Sequence, residues 1–568
     1  MIVKREKGIW YDHIPAEKWT EEYPDMSLFA QLKENSQRYP DFPAMVFQNK
    51  KYTFKQMIES VEKLASSLIG CGIKKGDFVS IVSPNVPQAI IMFYAVNRIG
   101  AVANMIYPLL SSNEIQQFVE RTNSTAVFIL DVVYPQVANI RWNLPKQPKV
   151  IIARVLDALP FYLKPLYALK NRKPLSLNPK HDVIFWNDLL SHSEKSCAAL
   201  PADEGKGNDP AVILYTGGTT GIQKGAMSSN YNYTSYTVQV FEACGVDCVG
   251  KRCLAVIPLF HGFGLAFNVH AMLSNGACLY LVPTFDLQKC FNLIFRKKLN
   301  FIFGVPAFFE ALTRCPEMDT ADLSFIESLV SGGDILRDKL QIRINKQLKK
   351  NGSKTEIRNA YGLTESLTGC CINPLFKNVI GSVGIPCPDN HAKIVAPGTI
   401  DEVPVGTDGE LCLSGPVIMR GYYNDPEATA QVLKTHSDGK LWLHTGDIFC
   451  QDEEGYLYFR QRSKRIAINS GFNIYLSQVE DVVAKCSIVK QCCAVAIQDA
   501  AVGQYVGLYI ILKEDLDESH ARETILEYSK ANLAAYAMPH EIRFVKEFPQ
   551  TIMGKTDFKV LEERINKK

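Results

Sequence analysis

From residue 210 to 365 the sequence alternates short apolar runs with longer amphipathic segments, and this alternation restricts the fold to few choices. Residues 211–215, 254–258, 278–282, 301–305 and 328–331 read as short buried strands. Residues 286–298 and 336–350 have helical spacing, the first with Asp286 placed to cap it. Strand and helix in this rhythm predict parallel sheets covered on both faces. From about 380 to 460 the pattern changes to short strands with glycine turns, a small β-rich subdomain. Past Arg462 a helix over 476–486, strands at 493–497 and 506–512 and a helix near 520–533 predict a separate α+β domain. The polar, basic Arg460-Gln-Arg-Ser-Lys-Arg465 reads as the linker between them.

The first apolar run empties into Tyr215-Thr-Gly-Gly-Thr-Thr-Gly-Ile-Gln-Lys-Gly225. Gly217, Gly218, Gly221 and Gly225 let backbone approach a ligand closely, because no Cβ intervenes. Thr216, Thr219 and Thr220 add hydroxyl donors and Lys224 a cation, a combination suited to a polyphosphate. The spacing is not that of a Walker A loop. Taken alone, a flexible Gly/Thr surface loop stays open.

Further along stand Tyr361-Gly-Leu-Thr-Glu365, Leu443-His-Thr-Gly-Asp447 and Gly554-Lys555. Between and before them come Gly76-Asp77, Pro258-Leu-Phe-His261, Val305-Pro306, Ser331-Gly-Gly333, Gly381-Ser-Val-Gly384 and Gly409-Glu-Leu-Cys-Leu-Ser-Gly415. In this order, from about residue 28 to 560, the set resembles the AMP-forming adenylating enzymes. These include acyl-CoA synthetases, 4-coumarate–CoA ligases, luciferases and peptide-synthetase adenylation domains. The chain is most similar to medium- and long-chain fatty acid–CoA ligases, through the 215–221 loop, Ser470-Gly-Phe-Asn473 and an insertion at 155–190.

The resemblance implies an α/β fold: a large N-terminal domain (1–461) of two doubly wound α/β subdomains plus a small β-barrel-like piece, then a mobile α+β lid (462–568) hinged near Lys464. It implies that a carboxylic acid is activated by ATP to acyl-AMP with loss of pyrophosphate, then passed to coenzyme A. In that scheme the Thr216–Gly225 loop holds the β- and γ-phosphates, with Lys224 acting on them. Glu365, with Thr216, binds Mg²⁺, and Thr364 donates to the α-phosphate. Tyr361 lies against adenine, with Gly362 beside it. Asp447 accepts from the ribose hydroxyls, Arg462 reaches the same ribose, and Gly332, Gly333 and Asp334 line the base and acyl group. His261, Val305, Gly332 and Gly362 border the acyl pocket. Lys555 bridges the substrate carboxylate and the α-phosphate.

Structural alternatives stay open for each: a helix-end carboxylate for Glu365, a turn residue for Asp447, a solvated Lys555, a core Tyr361, a satisfied His261. The chain departs from the family pattern at Gln223, Gln461, Arg465, Leu476 and Thr556-Asp-Phe558, mostly in hinge and lid. Adenylation is therefore better supported than thioester formation. Three functions remain: fatty acid–CoA ligation; activation of an aromatic or bile-type acid, or transfer to a carrier-protein thiol; and non-catalytic nucleotide or lipid binding.

A net charge of +3 with no basic stripe argues against nucleic acid as partner. The first residues are polar, without a secretory signal, and no apolar run is long enough to span a bilayer. The sixteen cysteines lack paired metal-ligand spacing and read as reduced thiols of a cytoplasmic protein. Residues 158–173 mix leucines and aromatics with four cations, so peripheral contact with the inner face of a membrane stays open, as does a homodimer.

Overall fold

The computed structural model describes residues 5, 10–14, 19–170, 175–195, 200–216, 223–245, 247–462, 465–469, 472–499, 503–514, 516–533, 537–550 and 556–567. The chain divides into two compact units: 1–216, 223–392 and 413–443 form one, and 217–222, 393–412 and 444–568 the other.

Two large sheets build the first unit. One has eight strands in the order Gly421–Tyr422, Gly225–Ser229, Pro210–Tyr215, Val102–Ile106, Phe78–Val82, Ala126–Leu130, Lys149–Ala153, Asp182–Phe185. The six from Pro210–Tyr215 onward run parallel, and the two at the near edge are antiparallel. Ala126–Leu130 is buried at every position, as a strand covered on both faces must be. The other sheet has nine strands, ordered Ile385–Pro386, Gly369–Ile372, Ile357–Gly362, Ser328–Ser331, Phe301–Gly304, Arg252–Ala255, Cys278–Leu281, Pro43–Phe47, Lys50–Thr53. Its central six are parallel. The helix Pro87–Arg98 is buried along its whole length, with Pro87 in the first turn where a missing N–H costs nothing. A capping box, Thr53 with Gln56, starts the helix Phe54–Gly70.

Asp286 caps the helix Leu287–Lys297 as expected, accepting from Lys289 N. The strand expected at 254–258 instead spans Arg252–Ala255. The side chain of Asn85 explains the difference. Its Nδ2 donates to Ala255 O (3.1 Å) and Ile257 O (2.9 Å), and its Oδ1 accepts from Leu259 N (3.0 Å). The apolar run thus satisfies its backbone on a side chain where a neighbouring strand would otherwise stand. Among its described residues the insertion at 155–190 has two short helices, Val155–Ala158 and Lys164–Lys170, a strand, Asp182–Phe185, and the start of the helix Trp186–Lys195.

Arg5 ties distant parts of this unit together. Its guanidinium is fully buried, donates through both terminal nitrogens to Glu242 (2.8 and 2.7 Å) and through Nε to Asp389 (2.8 Å). A fork on two carboxylates compensates the desolvation that a lone buried charge would suffer.

In the second unit, Phe472–Tyr475, Ile466–Asn469, Gly503–Leu512 and Val489–Asp499 form a sheet, with Pro539–Phe544 parallel to Gly503–Leu512. The helices Leu476–Val483 and Glu518–Asn532 contribute Val479, Val483 and Ile525 to a core shared with Ile474, Ala494 and Leu508. The 391–462 segment is β-rich as expected, but no pairing among its described strands closes a barrel. Among the described residues no helix is long and apolar enough to cross a membrane, and the described cysteines are free thiols, most of them buried.

Candidate active site

The glycine-rich loop leaves the Pro210–Tyr215 strand and returns through the antiparallel strand Gly225–Ser229. Its mouth is drawn shut where Thr216 N donates to Lys224 O (3.0 Å) and Thr216 Oγ1 accepts from Lys224 N (3.4 Å). Arg121 donates to Gln223 O (2.9 Å), and Tyr215 donates its hydroxyl to Asn104 Oδ1 (2.8 Å), fixing the strand end. Gly217, Gly218, Thr219, Thr220 and Gly221 lie outside the described residues.

Lys224 Nζ stands 5.0 Å over the ring of Tyr422, within cation–π reach. The Tyr422 hydroxyl donates to Glu365 Oε1 (2.6 Å), and Glu365 O accepts from Met419 N (2.8 Å). One short segment, Met419 to Tyr422, therefore holds the backbone and the carboxylate of Glu365 and carries the ring beneath Lys224. Burial, and then the Glu365 charge, push the Tyr422 phenol well above its usual range, so it stays protonated and donating.

Glu365 belongs to a 3₁₀ turn, Thr364–Ser366, between the antiparallel strands Ile357–Gly362 and Gly369–Ile372. Tyr361 pairs with Cys371 across this hairpin. Gly362 is required: a Cβ there would lie 1.7 Å from Thr368 O. Leu367, fully buried, has φ +67 and ψ −54, and Thr368 N donates to Ser366 O (2.7 Å) across it. This is the rare, strained γ-turn, here held by a side chain anchored in the core.

Gly332 N donates to Gly304 O (3.1 Å), and Gly333 takes φ +80 beside Val305, whose Cγ1 would lie 3.6 Å from an added Cβ. Val305 sits at the N-cap of the helix Pro306–Leu312 and is 39% exposed. Asp334 is exposed, with Oδ1 accepting from Ile335 N (2.9 Å). His261 Nδ1 accepts from Phe263 N (3.2 Å), which leaves Nε2 to carry the proton of the neutral ring. A nine-residue π-helix, Phe263–Ala271, follows it. Such helices are rare and recur at functional sites. Phe263 and Phe267 line a narrow apolar cavity of about 20 Å³ with Tyr236, Val240, Gly369 and Ile372.

Within the second unit, Asp447 is buried and lies on the strand Leu441–Gln451 directly across from Arg462 of the strand Leu457–Arg462. Glu410 shapes the preceding turn: Oε1 accepts from Gly446 N (3.0 Å), and Oε2 lies 3.1 Å from His444 Nδ1. Thr445 donates to Leu411 O (2.7 Å) and accepts from Asp447 N (3.1 Å). Lys464 and Lys555 lie outside the described residues, as does the side chain of Arg462.

The structure thus gathers Lys224 and Glu365 around Tyr422, ties Thr216 to Lys224, and sets Asp447 opposite Arg462. The sequence reading missed Tyr422 and Glu410. Glu410 lay inside a quoted motif, but nothing in its spacing ties it to a turn over thirty residues later.

A glycine loop closed by a lysine, beside a carboxylate on a strained hairpin, is the equipment of a nucleotide phosphate site, and the comparisons agree. The AMP-binding enzyme family matches residues 32–423, and the AMP-binding enzyme C-terminal domain matches residues 478–555. The chain belongs to the AMP-binding enzyme family. It is 30% identical over 540 residues to a long-chain-fatty-acid–CoA ligase of Bacillus subtilis (strain 168), covering 94% of this chain and 93% of that one. A ligase of the same description from Escherichia coli O157:H7 is 30% identical over 565 residues, 97% of both chains. The crystal structure of ATP-bound MatB from Rhodopseudomonas palustris has the same fold, with TM-score 0.78 and 23% identity over 96% of this chain and 99% of that one.

Proposed function

We propose that this protein is a cytoplasmic fatty acid–CoA ligase that forms acyl-AMP and then acyl-CoA. The grouping of Lys224, Tyr422 and Glu365 at the mouth of the glycine loop carries the phosphate half of this reading. The names of the bacterial relatives support the fatty acid and the thiol.

In the first step a carboxylate oxygen of the acid attacks the α-phosphorus of ATP. The bond from that phosphorus to the bridging oxygen breaks, and pyrophosphate leaves. The protein's part is to position the reactants and neutralise charge. Lys224 and the Thr216–Gly225 loop receive the β- and γ-phosphates, and Thr364 donates to the α-phosphate. Glu365 and Thr216 present the hard oxygen donors that Mg²⁺ takes, and a bound Mg²⁺ supplies charge neutralisation on the phosphates. Tyr361 with Gly362 faces the adenine, and Asp447 and Arg462 hold the ribose. Gly332, Gly333 and Asp334 line the base and acyl group.

Lys555, on the mobile domain 462–568 that turns at Lys464, bridges the carboxylate and the α-phosphate. In the second step the coenzyme A sulfur attacks the acyl carbon, and AMP leaves. The acyl chain enters past His261 and Val305, and Phe263 and Phe267 give it apolar surface.

Pyrophosphate release across a panel of acids, with and without coenzyme A, tests the proposal. Hexadecanoate should support release and coumarate should not, and acyl-CoA should form only when the thiol is present. Lys555→Ala should lower release at least about 100-fold while still converting preformed acyl-AMP. Full release in that variant, or cleavage of ATP to ADP, refutes the reading.

A contact with anionic membrane surfaces belongs to the same proposal. Phe161, Leu166 and Leu169 are 84%, 64% and 57% exposed within nine residues, with Lys164 among them. Replacing all three by Ser should abolish co-sedimentation with phosphatidylglycerol vesicles, and unchanged co-sedimentation counts against the contact.

A further inference from the structure

We propose that Tyr422 makes Glu365 a one-oxygen ligand and thereby sets which divalent cation accompanies ATP. The inference rests on the reading above that Glu365 is a metal ligand. The hydroxyl of Tyr422 lies 2.6 Å from Glu365 Oε1 and donates to it. A carboxylate oxygen so engaged is a poorer ligand, which leaves Oε2 as the atom to offer a metal.

Neither partner is free to drift. Tyr422 is 8% exposed and pairs with Ala226 across the sheet edge, and its backbone N donates to Thr429 Oγ1 (2.9 Å). Met419 N holds Glu365 O on the other side of the same segment. The γ-turn at Leu367 closes the same hairpin two residues after Glu365.

The consequence follows from coordination chemistry. Ca²⁺ takes six to eight oxygens and favours carboxylates that supply both of theirs. Mg²⁺ demands six at short range and takes one oxygen from each carboxylate. A phenol that occupies one oxygen therefore costs Mg²⁺ little and Ca²⁺ a ligand. The same ring lies under Lys224, so Tyr422 also couples the cation ligand to the phosphate lysine.

Tyr422→Phe isolates the hydroxyl, because the ring under Lys224 remains. Calorimetric titration of the full chain with ATP, in MgCl₂ or in CaCl₂, reads the effect without turnover. The wild-type protein should bind ATP more tightly with Mg²⁺ than with Ca²⁺. Tyr422→Phe should narrow that ratio about tenfold, mostly through tighter binding with Ca²⁺, as expected for removal of one charge-assisted hydrogen bond.

An unchanged ratio, or an equal loss with both cations, overturns the inference. Glu365→Gln separates the two readings. If it leaves both titrations as in the wild type, the metal role of Glu365 falls. If it abolishes the difference between cations while Tyr422→Phe does not alter it, only the role of Tyr422 falls. The thermal midpoint without nucleotide reports folding, and Tyr422→Met is the second hydroxyl-free variant.

Discussion

His270 is fully buried in the helical layer, with Nδ1 3.0 Å from the Tyr94 hydroxyl and Nε2 3.1 Å from Gln31 Oε1. Tyr94 donates, Gln31 accepts, and the ring is neutral. Burial depresses its pKa from 6.5 to about 3. Its contribution to stability is therefore complete above 6.5 and is lost as the pH falls toward about 3, because the unfolded chain takes up the proton first. Between pH 6.5 and 5 the loss is about 2 kcal/mol. The thermal midpoint should drop over that interval, and His270→Gln should remove most of the drop. At this scale the sequence was readable where function concentrates residues in a short string. Glu365 stood out because an aromatic, a glycine and a hydroxyl precede it within five positions. Tyr422, which holds its carboxylate, is 57 residues further on, and no periodicity joins the two.

At the level of elements, the helix Leu287–Lys297 could be read because its cap and its apolar face are both local. The strand Arg252–Ala255 could be read only in part, because its end is decided by Asn85, some 170 residues earlier. Asn85→Ala should destabilise the protein by about 2–4 kcal/mol, since Ala255 O, Ile257 O and Leu259 N all lose their partner. Chemical denaturation measures this, and a change below half a kilocalorie would mean that other groups satisfy those atoms. The π-helix Phe263–Ala271 had no signature at all: its residues suit an ordinary helix equally well, and packing selects the wider turn. The β-rich character of 391–462 showed in its glycine turns, but closure depends on pairings between strands, which composition does not encode.

At the scale of the whole molecule, buried thiols lower stability at alkaline pH. Burial raises Cys290 to about 11 and Cys278 to about 12, from an unfolded value of 9.0. Their stabilising effect is complete below 9.0 and is lost as pH rises through those folded values, because the unfolded thiols ionise first. By pH 10.5 each costs about 2 kcal/mol. The thermal midpoint should fall between pH 8.5 and 10.5, and a Cys278→Ala/Cys290→Ala protein should show a shallower slope. The overall architecture was legible because doubly wound sheets repeat one local rhythm many times, so single errors of boundary do not alter it.

The buried fork of Arg5 on Glu242 and Asp389 also has a meaning for biosynthesis. The arginine leaves the ribosome ahead of its partners, which follow 237 and 384 residues later. At ordinary elongation rates the second carboxylate emerges about 20–80 s after the arginine. Arg5 therefore lacks its second carboxylate until most strands of the first unit have been made, and the complete fork is among the last contacts to form.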